Sequence, residues 1–132
     1  VIAAICSDHQ PHEADAKLDA FPATEPGLSG LQTLLPLSLK LAESGGLSLS
    51  RIVAALPVGP ARIMGLPGGR LQPGSPADVC IFDPRARWTP DETTWLSAGR
   101  NTPFWGQPLQ GRVTQTLLGG RLVFDGGIPC TP

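Results

Sequence analysis

The sequence has no long apolar run, no excess of charge and no even set of cysteines, and each shortage removes a class of function. The longest apolar-leaning stretch, around Leu28 to Ala42, is broken by Ser, Gln, Thr, Pro and Lys. It falls short of the roughly 20 residues needed to cross a bilayer, so no membrane association is expected. Ten Lys and Arg against eleven Asp and Glu leave a formal charge of -1. No basic cluster alternates with aromatics, which argues against nucleic acid as a partner. Val1 to Ile5 has no basic flank and is too short for a secretory signal, so a cytoplasmic location is expected. Cys6, Cys80 and Cys130 are odd in number and far apart, without a C-x-x-C pair. Neither a disulfide framework nor a structural zinc knuckle is expected from them. Cys6 and Cys80 stand in apolar runs and read as buried free thiols.

What is present suffices for one modest domain, since 41% of the 132 residues are hydrophobic. The heavy load of 15 Pro and 16 Gly, and an opening on an apolar run without an initiator Met, read as the C-terminal portion of a longer chain. Val1 to Cys6 is apolar without alternation, as in a strand buried on both faces of a parallel sheet. Ser7 to Pro26 is polar, carries Pro11, Pro22 and Pro26 and keeps no period. It reads as a long loop, and long loops in compact domains tend to be functional.

From Leu28, leucines at helical spacing predict a helix that stops at Glu43-Ser44-Gly45-Gly46, with Pro36 expected to kink it. Ser48 can cap a second helix through Leu56. Gly59-Pro60 then opens a short third one, ended by Gly65 or by Pro67-Gly68-Gly69. After Gly69 the pattern changes to short apolar or alternating runs, Val79 to Phe82, Val113 to Leu118 and Arg121 to Phe124, between Pro/Gly turns. LLGGRLVF reads as a hairpin turning at Gly119-Gly120. A boundary is expected near Leu66 to Leu71, between a strand-loop-helix unit and a mostly β tail. Asp78, Asp83 and Asp125 lie beside turn signals and read as turn and cap groups.

The stretch CSDHQPHE, Cys6 to Glu13, concentrates four residues that can bind a metal or move a proton. A carboxylate just past the C-terminal end of a buried parallel strand is where α/β barrels place catalytic groups, and Asp8 has that position. It could ligate a divalent metal, accept a proton from a water activated there, or do both. His12 could reach the same cavity and suit an anionic substrate group, while His9 and Glu13 are less clearly aimed. A polar loop with a capping Asp and solvated His residues explains the spacing equally well, because D-H-x-P-H lacks the specificity of H-E-x-x-H.

Taken in order, SDHQPHE, FPATEPG, GLQTLLPLSLKLAESG, LSLSRIVAALPVGPARIMGL, GRLQPGSPADVCIFDP and NTPFWGQPLQGRVTQTLLGGRLVFDG resemble the C-terminal third of a dihydroorotase of the cyclic amidohydrolase group. The resemblance implies an α/β fold: the last strand and helices of a metal-dependent hydrolase (β/α)8 barrel over residues 1–69, then part of a small composite β domain over 70–132. It implies one or two zinc ions, with most ligands outside this chain, and dihydroorotate as substrate. A homodimer or a complex with aspartate transcarbamoylase is also implied.

The family pattern T-D-H-A-P-H matches Ser7 to His12. It makes Asp8 a metal ligand and the acid/base that takes a proton from the bridging hydroxide and returns it to the leaving nitrogen. It makes His12 a contact of the substrate carboxylate, and Pro26 and Gly27 the loop against the substrate ring. Ser7 and Gln10 depart from the pattern, Gln10 by putting a longer polar side chain beside the expected site. The family also includes inactive dihydroorotase-like chains that serve as structural partners of aspartate transcarbamoylase, and this loop is compatible with that branch. Hydantoinases and allantoinases share the fold but match DHQPH and NTPF less well. Alone, the 132 residues are expected to be inactive and to expose a leucine-rich face that the rest of a barrel would cover.

Overall fold

The structure, a computed structural model, describes residues 2–130. Val1, the first residue of the expected opening strand, lies outside them. Residues 2–8 carry no regular secondary structure and join no ladder. They are tied to the helices by Ile5 N–H donating to the Ala55 carbonyl at 3.0 Å and Arg51 Nη2 donating to the Ile2 carbonyl at 3.1 Å. The expected strand is therefore not formed among the described residues. The physical reason is that a parallel strand needs neighbours on its edges, and the described residues offer only one isolated parallel bridge, His9 to Leu28. Residues 10–33 follow as an irregular segment that outlasts the expected loop of residues 7–26, with short 3-10 turns at Asp15–Lys17 and Phe21–Ala23.

Helix α1 covers Leu34–Glu43, later than its leucine pattern suggested, because Leu28 is used in the bridge and Ser29 and Gly30 are buried under the loops. Pro36 thus falls in the first helical turn, where no intrahelical N–H donor is required, and the expected kink has no cause. Helix α2, Leu49–Val53, starts as expected at Ser48, whose Oγ accepts from Arg51 N–H at 3.3 Å. It does not end before a third helix. A π turn over Ala54–Val58, containing Pro57, joins it to α3, Gly59–Met64, and Gly65 closes the run in the left-handed conformation at φ 65°.

The tail forms a four-stranded antiparallel sheet in the order β1-β2-β3-β4, with β1 at Val79–Trp88, β2 at Leu109–Leu118, β3 at Arg121–Asp125 and β4 at Ile128–Pro129. The Gly119-Gly120 hairpin is present, both glycines having positive φ. Strand β1 runs past Pro84 by shifting register between Asp83 and Arg87, a bulge in which Asp83 Oδ1 accepts from Arg85 N–H at 2.8 Å. Asp78 Oδ1 likewise accepts from Gly119 N–H at 2.7 Å, whereas Asp125 takes a cross-strand bond from Gln115 Nε2.

Helix α1 packs on β2 where Gly111 leaves room: a Cβ there would lie 2.3 Å from Leu39 Cδ1. Trp88 is buried beside it and donates its indole N–H to the Gly111 carbonyl at 2.9 Å. Cys6 and Cys80, expected in the core, are both exposed. Cys6 sits on the segment without flanking strands, and Cys80 on the outward face of β1, although partial burial still pushes its thiol pKa up. Leu49, Val53, Val58, Ile63, Met64 and Leu66 are exposed along the α2–α3 run, whereas the leucines of α1 are half-buried or buried except Leu41.

Candidate active site

Asp8 stands at the point where the opening segment turns into the bridge. Its φ of 45° is the single positive value among non-glycine residues in the described chain. An L-residue there carries steric strain, which Asp tolerates better than most, and such strain persists only where surrounding bonds impose it. Those bonds are identifiable. Gln10 N–H donates to the Leu28 carbonyl at 2.9 Å, and His9 Nδ1 accepts from the N–H groups of Gly30 and Leu31 at 3.1 and 3.2 Å. Nδ1 is therefore the bare nitrogen of His9 and Nε2 carries its proton. His9, poorly aimed on sequence grounds, is a structural clamp between the two loops.

The Asp8 carboxylate is exposed and accepts from Gln10 Nε2 at 3.2 Å. The same Gln10 side chain covers Gly27, whose absent Cβ would lie 2.4 Å from Gln10 Oε1 and 2.5 Å from its Cβ. The longer residue at position 10 thus fills the space that Gly27 opens and links it to Asp8. Gly27 has a φ of 99°, a conformation that favours glycine. His12 is half-buried, and its Nε2 lies 2.9 Å from the Pro26 carbonyl, which can only accept, so that nitrogen carries a proton.

The three successive carbonyls of this loop are all occupied. Lys17 Nζ donates to Glu25 O and to Gly27 O, the latter at 2.9 Å, and His12 takes Pro26 O. The structure therefore joins His12 to Pro26 directly and Asp8 to Gly27 through Gln10. None of these four residues lines the groove of about 490 Å³ between His9, Leu35, Trp88, Leu96, Gly111 and Phe124. They form instead an open polar corner at the edge of the molecule.

Among the described residues no group of three His, Cys, Asp or Glu side chains could hold a metal ion. Asp8 fits a metal as one carboxylate ligand, with anionic oxygen in reach of solvent, but the remaining donors have to come from elsewhere.

Sequence reading missed the residue that ties the corner together. Asn101, in the NTPF stretch, accepts at Oδ1 from His12 N–H at 2.9 Å and from Ser29 Oγ at 2.8 Å. Its Nδ2 donates to the Gln10 carbonyl at 2.9 Å, with a longer 3.4 Å contact to the Gly27 carbonyl. Its backbone carbonyl accepts from Ser29 N–H at 3.0 Å. Beside it, a Cβ on Gly99 would lie 2.5 Å from Pro11 Cβ, so only glycine allows that approach. Gln32 supplies a second strap, donating to Thr94 O at 2.6 Å and accepting from Leu96 N–H at 3.0 Å.

An α/β chain with a strained acidic corner on a loop, backed by helices and an antiparallel sheet, is the arrangement against which relatives can be compared. The model of the amidohydrolase family matches residues 1–123, and the chain belongs to that family. It is 49% identical over 126 residues to a dihydroorotase-like protein of Pseudomonas aeruginosa, covering 96% of this chain and 30% of that protein. It is 44% identical to a dihydroorotase of Syntrophus aciditrophicus, covering 92% and 29%. A D-hydantoinase (dihydropyrimidinase) from Thermus sp. superposes with a TM-score of 0.86 at 26% identity, over 98% of this chain and 30% of that one. The inactive dihydroorotase-like domain of a Chaetomium thermophilum CAD-like multifunctional protein shares the fold, with a TM-score of 0.60 at 21% identity over 91% and 32%. The chain thus spans about three tenths of the length of the relatives it matches. Its fold class is the expected one, closing elements of a metal-dependent hydrolase barrel followed by part of a small β domain.

Proposed function

We propose that these residues are the closing part of a zinc-dependent dihydroorotase, which opens the cyclic amide of dihydroorotate to carbamoyl aspartate in pyrimidine biosynthesis, and closes it in reverse. The observation that carries the proposal is the polar corner itself, in which a strained Asp8 and the His12–Pro26 pair are held together by bonds between loops. Dihydroorotate is preferred to a hydantoin because the dihydroorotase relatives are 44% and 46% identical to this chain, against 26% for the Thermus hydantoinase and 32% for an L-hydantoinase from Arthrobacter aurescens.

In this reading Asp8 moves the proton. Its carboxylate takes one from the attacking water and delivers it to the ring nitrogen as the C–N bond breaks, and Gln10 Nε2 orients it. Zinc held partly by Asp8 would polarise the amide carbonyl and ease ionisation of water. His12 Nε2–H, which the Pro26 carbonyl accepts here, would turn to donate to the substrate carboxylate. Pro26 and Gly27 lie against the ring, and with the carbonyls of residues 25 to 27 already occupied by Lys17 and His12, this edge presents no bare acceptor to the substrate's oxygens. Residues 1–69 belong to the barrel and 70–132 to the β domain. The protein works in the cytoplasm, as a homodimer or with aspartate transcarbamoylase.

The test is turnover of dihydroorotate by the full-length protein, with metal content measured alongside. Asp8→Asn should lower kcat by at least about 10²-fold with KM little changed. A wild-type rate in that variant would take Asp8 out of the mechanism. A second reading is an inactive structural partner of aspartate transcarbamoylase; the Pseudomonas relatives at 49% and 48% identity are called dihydroorotase-like proteins. Full-length protein that binds no metal, turns over nothing and elutes with the transcarbamoylase would replace the first reading by the second.

A further inference from the structure

The carboxamide of Asn101 has two acceptor sites and two N–H donors, and the structure uses all four, on two other segments. It meets the DHQPH loop at both Gln10 O and His12 N, and the P-G-L-S loop at both Gly27 O and Ser29 Oγ. Its own backbone belongs to the connection between β1 and β2. Ser29, fully buried, shares its one hydroxyl proton between Asn101 Oδ1 and the Gly99 carbonyl at 3.0 Å.

We infer that Asn101 is a positioning residue of the active site, setting the distance between the loop that carries Asp8 and His12 and the loop that carries Pro26 and Gly27. The inference rests on the dihydroorotase reading. Asn101 grips the backbone at Gln10, His12 and Gly27, the neighbourhood of the groups assigned to substrate binding, whereas the Asp8 side chain is held separately by Gln10. Its loss should therefore weaken binding of the anionic ring more than it slows proton transfer. Neither acidic nor apolar residues can replace it. Aspartate keeps the two accepted bonds but turns an oxygen toward the Gln10 and Gly27 carbonyls, and alanine keeps none.

The experiment uses full-length protein carrying Asn101→Ala or Asn101→Asp, the second nearly isosteric in case the first does not fold. Steady-state kinetics with dihydroorotate are combined with hydrogen–deuterium exchange. KM should rise by about tenfold or more while kcat stays within about threefold, and exchange should rise in peptides covering 7–13 and 26–31 but not in the β2–β3 hairpin. An unchanged KM, or faster exchange spread over the whole chain with kcat and stability falling together, would overturn the inference. Wild-type protein that turns over no dihydroorotate would instead sink the functional reading. The exchange arm would then still decide whether Asn101 ties the loops, and unchanged exchange there would end the inference too.

Discussion

Gly59→Ala tests how the segment leading to Asp8 is held. Gly59 is buried at the start of α3, and a Cβ built on it would lie 1.8 Å from the Ala3 carbonyl oxygen, a backbone atom that cannot rotate away. To bring that contact to 3.0 Å, residues 2–5 must retreat by about 1.2 Å, which strains the bonds from Ile5 N–H to Ala55 O and from Arg51 Nη2 to Ile2 O. Overpacking of this kind costs about 1–3 kcal/mol, and losing one of the hydrogen bonds adds about 1 kcal/mol. Against this, alanine in place of a helical glycine gains up to about 1 kcal/mol. The net loss should be about 1–3 kcal/mol, read from urea or thermal unfolding of the full-length protein. A displacement near 1 Å passed along to Asp8 would also lower turnover by about 10²-fold. Gly68→Ala, where a Cβ meets open space, is the control and should change neither. Wild-type stability in Gly59→Ala would refute the close packing of the opening segment on α3.

Two further perturbations probe the β module. Trp88→Phe removes the indole donor and leaves the buried Gly111 carbonyl without it, so unfolding free energy should drop by about 1–3 kcal/mol; denaturant titration reads the loss, and an unchanged midpoint would count against the bond. Asp91 has its carboxyl pKa lowered by the Thr93 hydroxyl, then by Thr93 N–H and by Thr94, with desolvation opposing. A depressed pKa contributes stability above the ordinary Asp value that fades as pH falls through the lowered one. Asp91→Asn should therefore flatten the acid limb of the stability–pH curve, and an identical acid limb would show that the Thr93 bonds do not hold in solution.

Local chemistry was legible wherever a residue acts on its near neighbours. Ser48 as a cap, Gly65 as a left-handed stop and Gly119-Gly120 as a hairpin turn act within a few positions of themselves. The helix of residues 28–43 was legible as a helix but not in its start, because Leu28 and His9 are claimed by a bridge formed across 19 positions of chain. Misplacing that start is what made Pro36 look like a kink. The π turn at Ala54–Val58 keeps the helical run going through Pro57, which local propensity reads as a break. At the site, Asp8 and His12 stood out because their side chains are chemically conspicuous. Asn101 did not, since its meaning lies in partners 72 to 91 positions away and nothing in N-T-P-F points to them.

Order in the candidate site depends less on strand pairing than on the segment around Asn101, so it matters which interactions hold that segment. The conspicuous candidate is Arg100, paired with Glu92 at 2.5 Å and lying 5.9 Å from the Trp105 ring centroid. Both ends of the ion pair are more than half exposed, and such pairs contribute about 0–1 kcal/mol, further weakened by salt. Trp95 does more. It packs edge-on against Trp105 with centroids 5.9 Å apart and donates its indole N–H to the Gly99 carbonyl at 2.9 Å. An aromatic pair adds about 0.5–1.5 kcal/mol beyond its burial, and the indole bond about another 1. Gly99 is also the residue that admits Pro11, and its carbonyl is the one that receives Ser29. The force that sets Asn101 in place therefore runs from the tryptophan pair through Gly99, and salt that screens Arg100 from Glu92 leaves that path intact.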